Sequence, residues 1–79
     1  MNSQQKLFEA LADVLKVDVA SLNEASSPDT IPGWDSLAVI NLVVELEILF
    51  EVQFDILEIA DFRNVRIIKS ILMGKGIVF

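Results

Sequence analysis

Gly33-Trp34-Asp35-Ser36-Leu37-Ala38-Val39-Ile40-Asn41-Leu42-Val43-Val44-Glu45-Leu46-Glu47-Ile48-Leu49-Phe50 is the stretch that decides the architecture. Asp35 is a good helix N-cap, and the residues from Ser36 to about Phe50 contain no breaker, so the segment reads as one helix. At about 100° per residue, Val39, Leu42, Val43, Leu46 and Phe50 fall in one sector and form a core-facing stripe. Leu37, Ile40, Val44 and Ile48 fall in a second sector, separate from the first. Glu47 and Glu51 edge this second stripe on one side, Asn41 and Glu45 on the other. Two readings stay open. The helix is central and buried on several sides, or the second stripe is a partner-docking patch with an apolar centre and a charged rim.

Upstream lies a long connection, about residues 17–34, with Ser26-Ser27-Pro28-Asp29 and Ile31-Pro32-Gly33 as turn signals. Leu22 and Ile31 are its expected anchors in the core. Before it, Leu7, Phe8, Leu11, Val14 and Leu15 repeat at helical spacing, opposite Gln4, Lys6, Glu9, Asp13 and Lys16, and Ser3 is the expected N-cap. Downstream, Asp55 with Glu58 forms a capping-box pattern for a short third helix ending near Ala60 or Phe62. Asn64 caps a last helix whose apolar residues are Val65, Ile67, Ile68, Ile71 and Leu72, with Gly74 placed to stop it. The segments 17–19, 52–54 and 77–79 have strand character but are too short to make a sheet. Residues 74–79 are apolar for a tail, which either packs back on the bundle or extends loosely beyond it. The expectation is an all-α, small four-helix bundle with a long first loop and a short third helix, one domain over residues 1–79.

Composition narrows the function. A chain of 79 residues is one small domain, and 53% hydrophobic content opposes disorder. No apolar run is long enough to span a membrane. Met1-Asn2-Ser3-Gln4-Gln5-Lys6 lacks the regions of a signal peptide, so the expected location is cytoplasmic, with which the absence of cysteine agrees. With no His and no Cys, a Ser-His-Asp triad, a Cys nucleophile and the usual zinc sites are excluded. The glycines, Gly33, Gly74 and Gly76, make no phosphate loop, so the chain is expected not to be an enzyme. Bases are confined to Lys6, Lys16, Arg63, Arg66, Lys69 and Lys75. Between residues 17 and 62 the charged residues are all acids: Asp18, Glu24, Asp29, Asp35, Glu45, Glu47, Glu51, Asp55, Glu58 and Asp61. That surface serves solubility, or it steers basic partners. A net charge of −6 disfavours nucleic acid.

Ser36 after Asp35 is by itself ordinary capping chemistry. It is no hydrolase elbow, since no glycine stands two residues after it. Its surroundings say more. Gly33-Trp34-Asp35-Ser36-Leu37, followed by the apolar pattern through Glu47 and Phe50, then Phe54, a short acidic third helix and an apolar last helix, resembles the acyl carrier protein family. The resemblance covers the chain from the first helix to about Leu72.

It implies that Ser36 carries a 4'-phosphopantetheine arm, delivered from coenzyme A by a separate phosphopantetheinyl transferase. The arm's thiol would hold acyl-type cargo as a thioester in a chain without cysteine. Asp35 would help the transferase hold Mg²⁺, and Leu37 would contact that enzyme. Leu37, Ile40, Asn41, Val44, Glu47, Ile48 and Glu51 are the expected docking residues. An acyl-loading ligase or acyltransferase and downstream synthase or transferase enzymes are the other expected partners of a monomeric carrier. Asn41 and Ile48 stand where fatty-acid carriers tend to have acids, and Ile31-Pro32-Gly33-Trp34 is similar to carriers of specialised pathways, such as polyketide or surface-polysaccharide synthesis. The alternatives are a carrier of aminoacyl or hydroxyacyl cargo on the same arm, and an unmodified helical interaction module.

Overall fold

A computed structural model of the protein describes residues 2–79; Met1, part of the leader reading above, lies outside them. The order is α1 (Ser3–Leu15), one turn of 3-10 helix (Val19–Ser21), α2 (Ser36–Phe50), α3 (Ile56–Ala60) and α4 (Val65–Gly74). The fold is the expected small helical bundle with a long first loop and a short third helix. No strand occurs among the described residues, and no helix is long and apolar enough to cross a membrane.

Each helix starts where a short polar side chain can take the place of a missing intrahelical acceptor. The Asp35 carboxylate accepts from the amide of Ala38 at 2.9 Å, and the Asn64 side chain from Ile67 at 2.8 Å. Asp55 and Glu58 form the reciprocal capping box, at 2.8 and 2.9 Å. In α1 the cap is Asn2 and not Ser3, its side chain accepting from Gln5 at 2.8 Å. Asparagine caps as well as serine, and it stands one residue earlier, so Ser3 is drawn into the helix.

The helix ends depart further from expectation. Both α1 and α2 stop at a left-handed residue that is not glycine: Lys16 (φ 61°) and Glu51 (φ 55°). The next amide in each case reaches back five residues, Val17 to the Ala12 carbonyl and Val52 to that of Glu47. Gly74 is the last residue of α4, as expected, but the left-handed turn that follows is not made there. Gly76 makes it, at φ 96°, with its amide on the Met73 carbonyl (3.0 Å) and the Ile77 amide on that of Leu72 (3.1 Å). This stop needs positive φ at the residue between those bonds, which Gly76 adopts without strain and which Gly74, inside the last helical turn, is not asked to supply.

The turn at Gly76 folds the tail back. Ile77 and Phe79 pack against the core. The Phe79 ring lies 6.3 Å from that of Phe50 and under the Lys69 ammonium at 5.3 Å. A radius of gyration of 11.2 Å agrees with this closed form, since about 12 Å is usual for a chain of this length.

The core joins three of the helices. Leu7, Ala10, Leu11 and Leu15 of α1 meet Ala38, Leu42, Val43 and Leu46 of α2, and Val65, Ile68 and Leu72 of α4 close the third side. Val39 and Phe50, expected in the core, sit at its edge, as do Phe8 and Val14. Leu22, Ile31 and Trp34 anchor the long loop, and Phe54 stacks edge-on against Phe62 at 5.2 Å under α3. The loop also starts α4: the Ser26 carbonyl accepts from the amide of Val65 (3.1 Å) and the Glu24 carbonyl from that of Arg66 (3.0 Å). Buried Ser26 holds its own turn by accepting from the Asn23 amide.

Two outcomes follow from this packing. Val43 is 8% exposed and Val44 is 53% exposed, so Val43→Ala should cost about 1–3 kcal/mol and Val44→Ala no more than about 0.5 kcal/mol in urea unfolding. Equal losses would return both stripes of α2 to the interior. The second outcome concerns Glu58. Its carboxylate is held below the ordinary value of 4.5, first by the hydrogen bond from Lys75 and then by the amide of Asp55, against a smaller opposing effect of burial. A lowered carboxylate stabilises the fold above 4.5, and this contribution is lost as pH falls through the lowered folded value. Glu58→Gln should therefore melt below the parent at neutral pH, and the gap should close on acidification beneath 4.5. A gap that persists at pH of about 2 would mean that the pair's charge is not its source.

Candidate functional site

Ser36 is the first residue of α2 and is exposed. Three local features place it there. Trp34, two residues earlier, is buried at 4% exposure and pulls the end of the loop into the core. Its indole N–H is buried without a hydrogen-bond partner, so the anchor is apolar packing and not a polar contact. Asp35 then turns outward and caps α2. Between loop and helix, Gly33 lies against the end of α1. A Cβ at this residue would stand 2.9 Å from the Leu15 carbonyl oxygen, closer than carbon and oxygen tolerate. Only a residue without a side chain lets the chain pass here.

The start of α2 has the electrostatics of any helix N-terminus, with a partial positive charge and amides left over. The Asp35 cap takes the amide of Ala38, and those of Ser36 and Leu37 have no acceptor within the helix. One oxygen of the Asp35 carboxylate accepts that bond, and the other is left for a further partner. Among the described residues no group of three His, Cys, Asp or Glu side chains is placed to hold a metal ion.

Below Ser36 the second stripe of α2 is surface. Leu37, Ile40, Val44 and Ile48 are between 53% and 73% exposed, which removes the reading in which α2 is buried on several sides and this stripe is interior. Asn41, Glu45 and Glu51 are exposed beside them. An open depression of about 360 Å³ runs along the α1 side of the stripe, between Asp13, Val14 and Lys16 and Asn41, Val44 and Glu45.

Glu47 is different from the other rim acids. It is half-buried, and its carboxylate accepts from the backbone amide of Phe54 at 2.9 Å. That bond ties the extended segment after α2 to the helix. Sequence reading took Glu47 as a free rim charge because a tether seven residues away has no signature in helical spacing. It also left Ile56 and Leu57 without a role. They are 81% and 79% exposed on α3; the available signal was that a helix of one turn with Phe54 and Phe62 packed beneath it has little core left to cover.

The contact at Gly33 gives a direct test of how Ser36 is presented. Gly33→Ala should destabilise the fold by about 1–3 kcal/mol through overpacking against backbone that cannot yield. Trp34 is the only tryptophan, so its emission should shift toward that of a solvated indole as the loop lifts. Unchanged stability and emission would show that the loop passes α1 with room to spare.

The chain matches no protein-family model and no curated protein, so the chemistry of the site has to be read from its own residues.

Proposed function

We propose that this protein is an acyl carrier: Ser36 bears a 4'-phosphopantetheine arm, and the chain presents thioester cargo on it to partner enzymes. The observation that carries this reading is the exposed hydroxyl of Ser36 at the start of a 15-residue helix, capped by Asp35 and continued by an exposed apolar stripe. An attachment serine has to be reached by another enzyme, and Ser36 can be. A phosphodiester at this place is favoured by the helix dipole and by the unpaired amides of Ser36 and Leu37. On this reading the second oxygen of Asp35 would add a ligand to a metal ion held by the modifying enzyme.

In the modification step, Ser36 Oγ forms a bond to the phosphorus that carries pantetheine in coenzyme A. The phosphoanhydride bond breaks, adenosine bisphosphate leaves, and the hydroxyl proton passes to a base of the transferase. The arm contributes a thiol that a chain without cysteine lacks, and it raises the effective concentration of cargo at a docked enzyme. Acyl, aminoacyl and hydroxyacyl cargo all use this chemistry. The exposed stripe also suits a module that binds one partner and is never modified, which is the reading to beat.

Incubation with coenzyme A, Mg²⁺ and a broad-range phosphopantetheinyl transferase should add the mass of one phosphopantetheinyl group per chain. Ser36→Ala should add none and keep its helical signal and unfolding midpoint, since the position is exposed and the cap belongs to Asp35. Modification of the alanine variant, or no mass gain in the parent with several transferases, favours the unmodified module.

A further inference from the structure

We propose that the recess between the long loop at Glu24, the outer face of α4 and the returning tail binds a carboxylate carried on a short aliphatic chain. The site is separate from Ser36 and does not rest on the carrier reading. Phe79, at its rim, pairs with Phe50, the last residue of α2. The recess therefore lies at the far end of that helix, about 20 Å along its axis from Ser36. Arg66, Lys69, Ser70 and Met73 hold the i, i+3, i+4 and i+7 positions of α4 and share one face. With Glu24 and Phe79 they line an open recess of about 410 Å³, within the range of about 300–1,000 Å³ usual for small-molecule sites.

Charge selects the ligand. In a chain of net charge −6 with six bases, this recess gathers two cations around one acid. Glu24 lies between them with both ion pairs open. Its carboxylate stands 4.0 Å from Arg66 Nε and 3.7 Å from Lys69 Nζ, beyond hydrogen-bond reach of either. Among the described residues no other carboxylate comes within 4.0 Å of these cations, which leaves one positive charge over. Lys69 is fixed: its side chain is 17% exposed, it donates to Gln4 at 2.8 Å, and it covers the Phe79 ring at 5.3 Å. Arg66 is 69% exposed and free to turn. Its planar guanidinium can take a carboxylate through two parallel bonds, and the fixed ammonium beside it adds attraction. One surplus cation matches a monoanion, whereas a phosphate dianion would be overcharged and repelled by Glu24. Met73, half-exposed, and Phe79 supply the apolar wall for the chain behind the carboxylate, and a flexible thioether adapts to an unbranched chain.

The test titrates the full, isotope-labelled chain with sodium octanoate and follows its amide resonances by NMR. The amides of Arg66, Ser70, Met73 and Phe79 should shift together and saturate in the millimolar range. Sodium acetate, which has the charge without the chain, should bind at least about tenfold more weakly. Arg66→Gln should weaken octanoate binding by about tenfold, the usual effect of losing a charge-assisted contact. Glu24→Gln should tighten it by about threefold or more, because the competing carboxylate is gone. A merely structural role for Glu24 would give no such gain. Both side chains are exposed, and the bond from the Arg66 amide to the Glu24 carbonyl is backbone only, so both variants should unfold near the parent's midpoint. No saturable shift at the recess overturns the proposal, and so do shifts confined to α2. Equal binding of acetate, or tighter binding of inorganic phosphate to the same amides, overturns the choice of ligand. Weaker octanoate binding by Glu24→Gln overturns the charge argument on which the site stands. None of these results bears on modification of Ser36, so failure here leaves the carrier reading intact.

Discussion

Residue 33 passes so near the Leu15 carbonyl that a Cβ there would stand 2.9 Å from its oxygen, and the presentation of α2 depends on that passage. The long loop leaves α1 at Lys16, crosses the bundle, and must return to the end of the same helix before α2 can begin. Glycine allows the return, Trp34 fixes it by burial, and Asp35 converts it into a helix start. The exposed position of Ser36 follows from those three neighbours and asks nothing of the serine itself. A side chain at residue 33 would move the whole approach, and with it the orientation of α2 against α1.

Much of this could be read from the sequence where the chemistry is local. Asp35, Asp55 with Glu58, and Asn64 act on amides two or three residues away, so their types and offsets identify them. The two stripes of α2 were legible because helical spacing separates them. Their burial was not, since spacing cannot say how many neighbours a helix has. The helix ends were least legible. Lys16 and Glu51 occupy a conformation that costs a side-chain-bearing residue about 1–2 kcal/mol, and neither resembles a stop signal. Gly74 was read correctly as the last residue of the final helix, whereas the left-handed turn at Gly76 depends on the direction the tail takes. The candidate site shows the same division: the place of Ser36 was visible, whereas the tether from Glu47 to Phe54 depends on a turn that no pattern encodes.

The acidic middle of the chain now has an internal explanation. A short third helix cannot be stable alone. It is held by its own capping box, by Lys75 arriving from beyond α4, and by the edge-on pair of Phe54 and Phe62. Lys75 also lies 5.3 Å from the centre of the Phe54 ring, so one cation serves both the carboxylate and the aromatic pair. Lys69 does similar work at the other end, where it donates to Gln4 at 2.8 Å, approaches Glu24 at 3.7 Å and covers Phe79. The few bases near the end of the chain are therefore structural contacts among segments that apolar packing alone would hold weakly.

The carbonyls of Glu24 and Ser26 provide acceptors for the first turn of α4, and this has a consequence for how the molecule forms. Amides at a helix start ordinarily exchange with solvent at the rate of an open chain. Here Val65 and Arg66 are closed off by a loop from the first third of the sequence, so their protection reports whether that loop is in place. These two bonds tie the loop to the last helix despite their separation along the chain. Such long-range closure falls late on a folding route, because its entropic cost precedes its reward. An intermediate with α1 and α2 formed would thus expose both the frayed start of α4 and the side of the core that Val65, Ile68 and Leu72 cover.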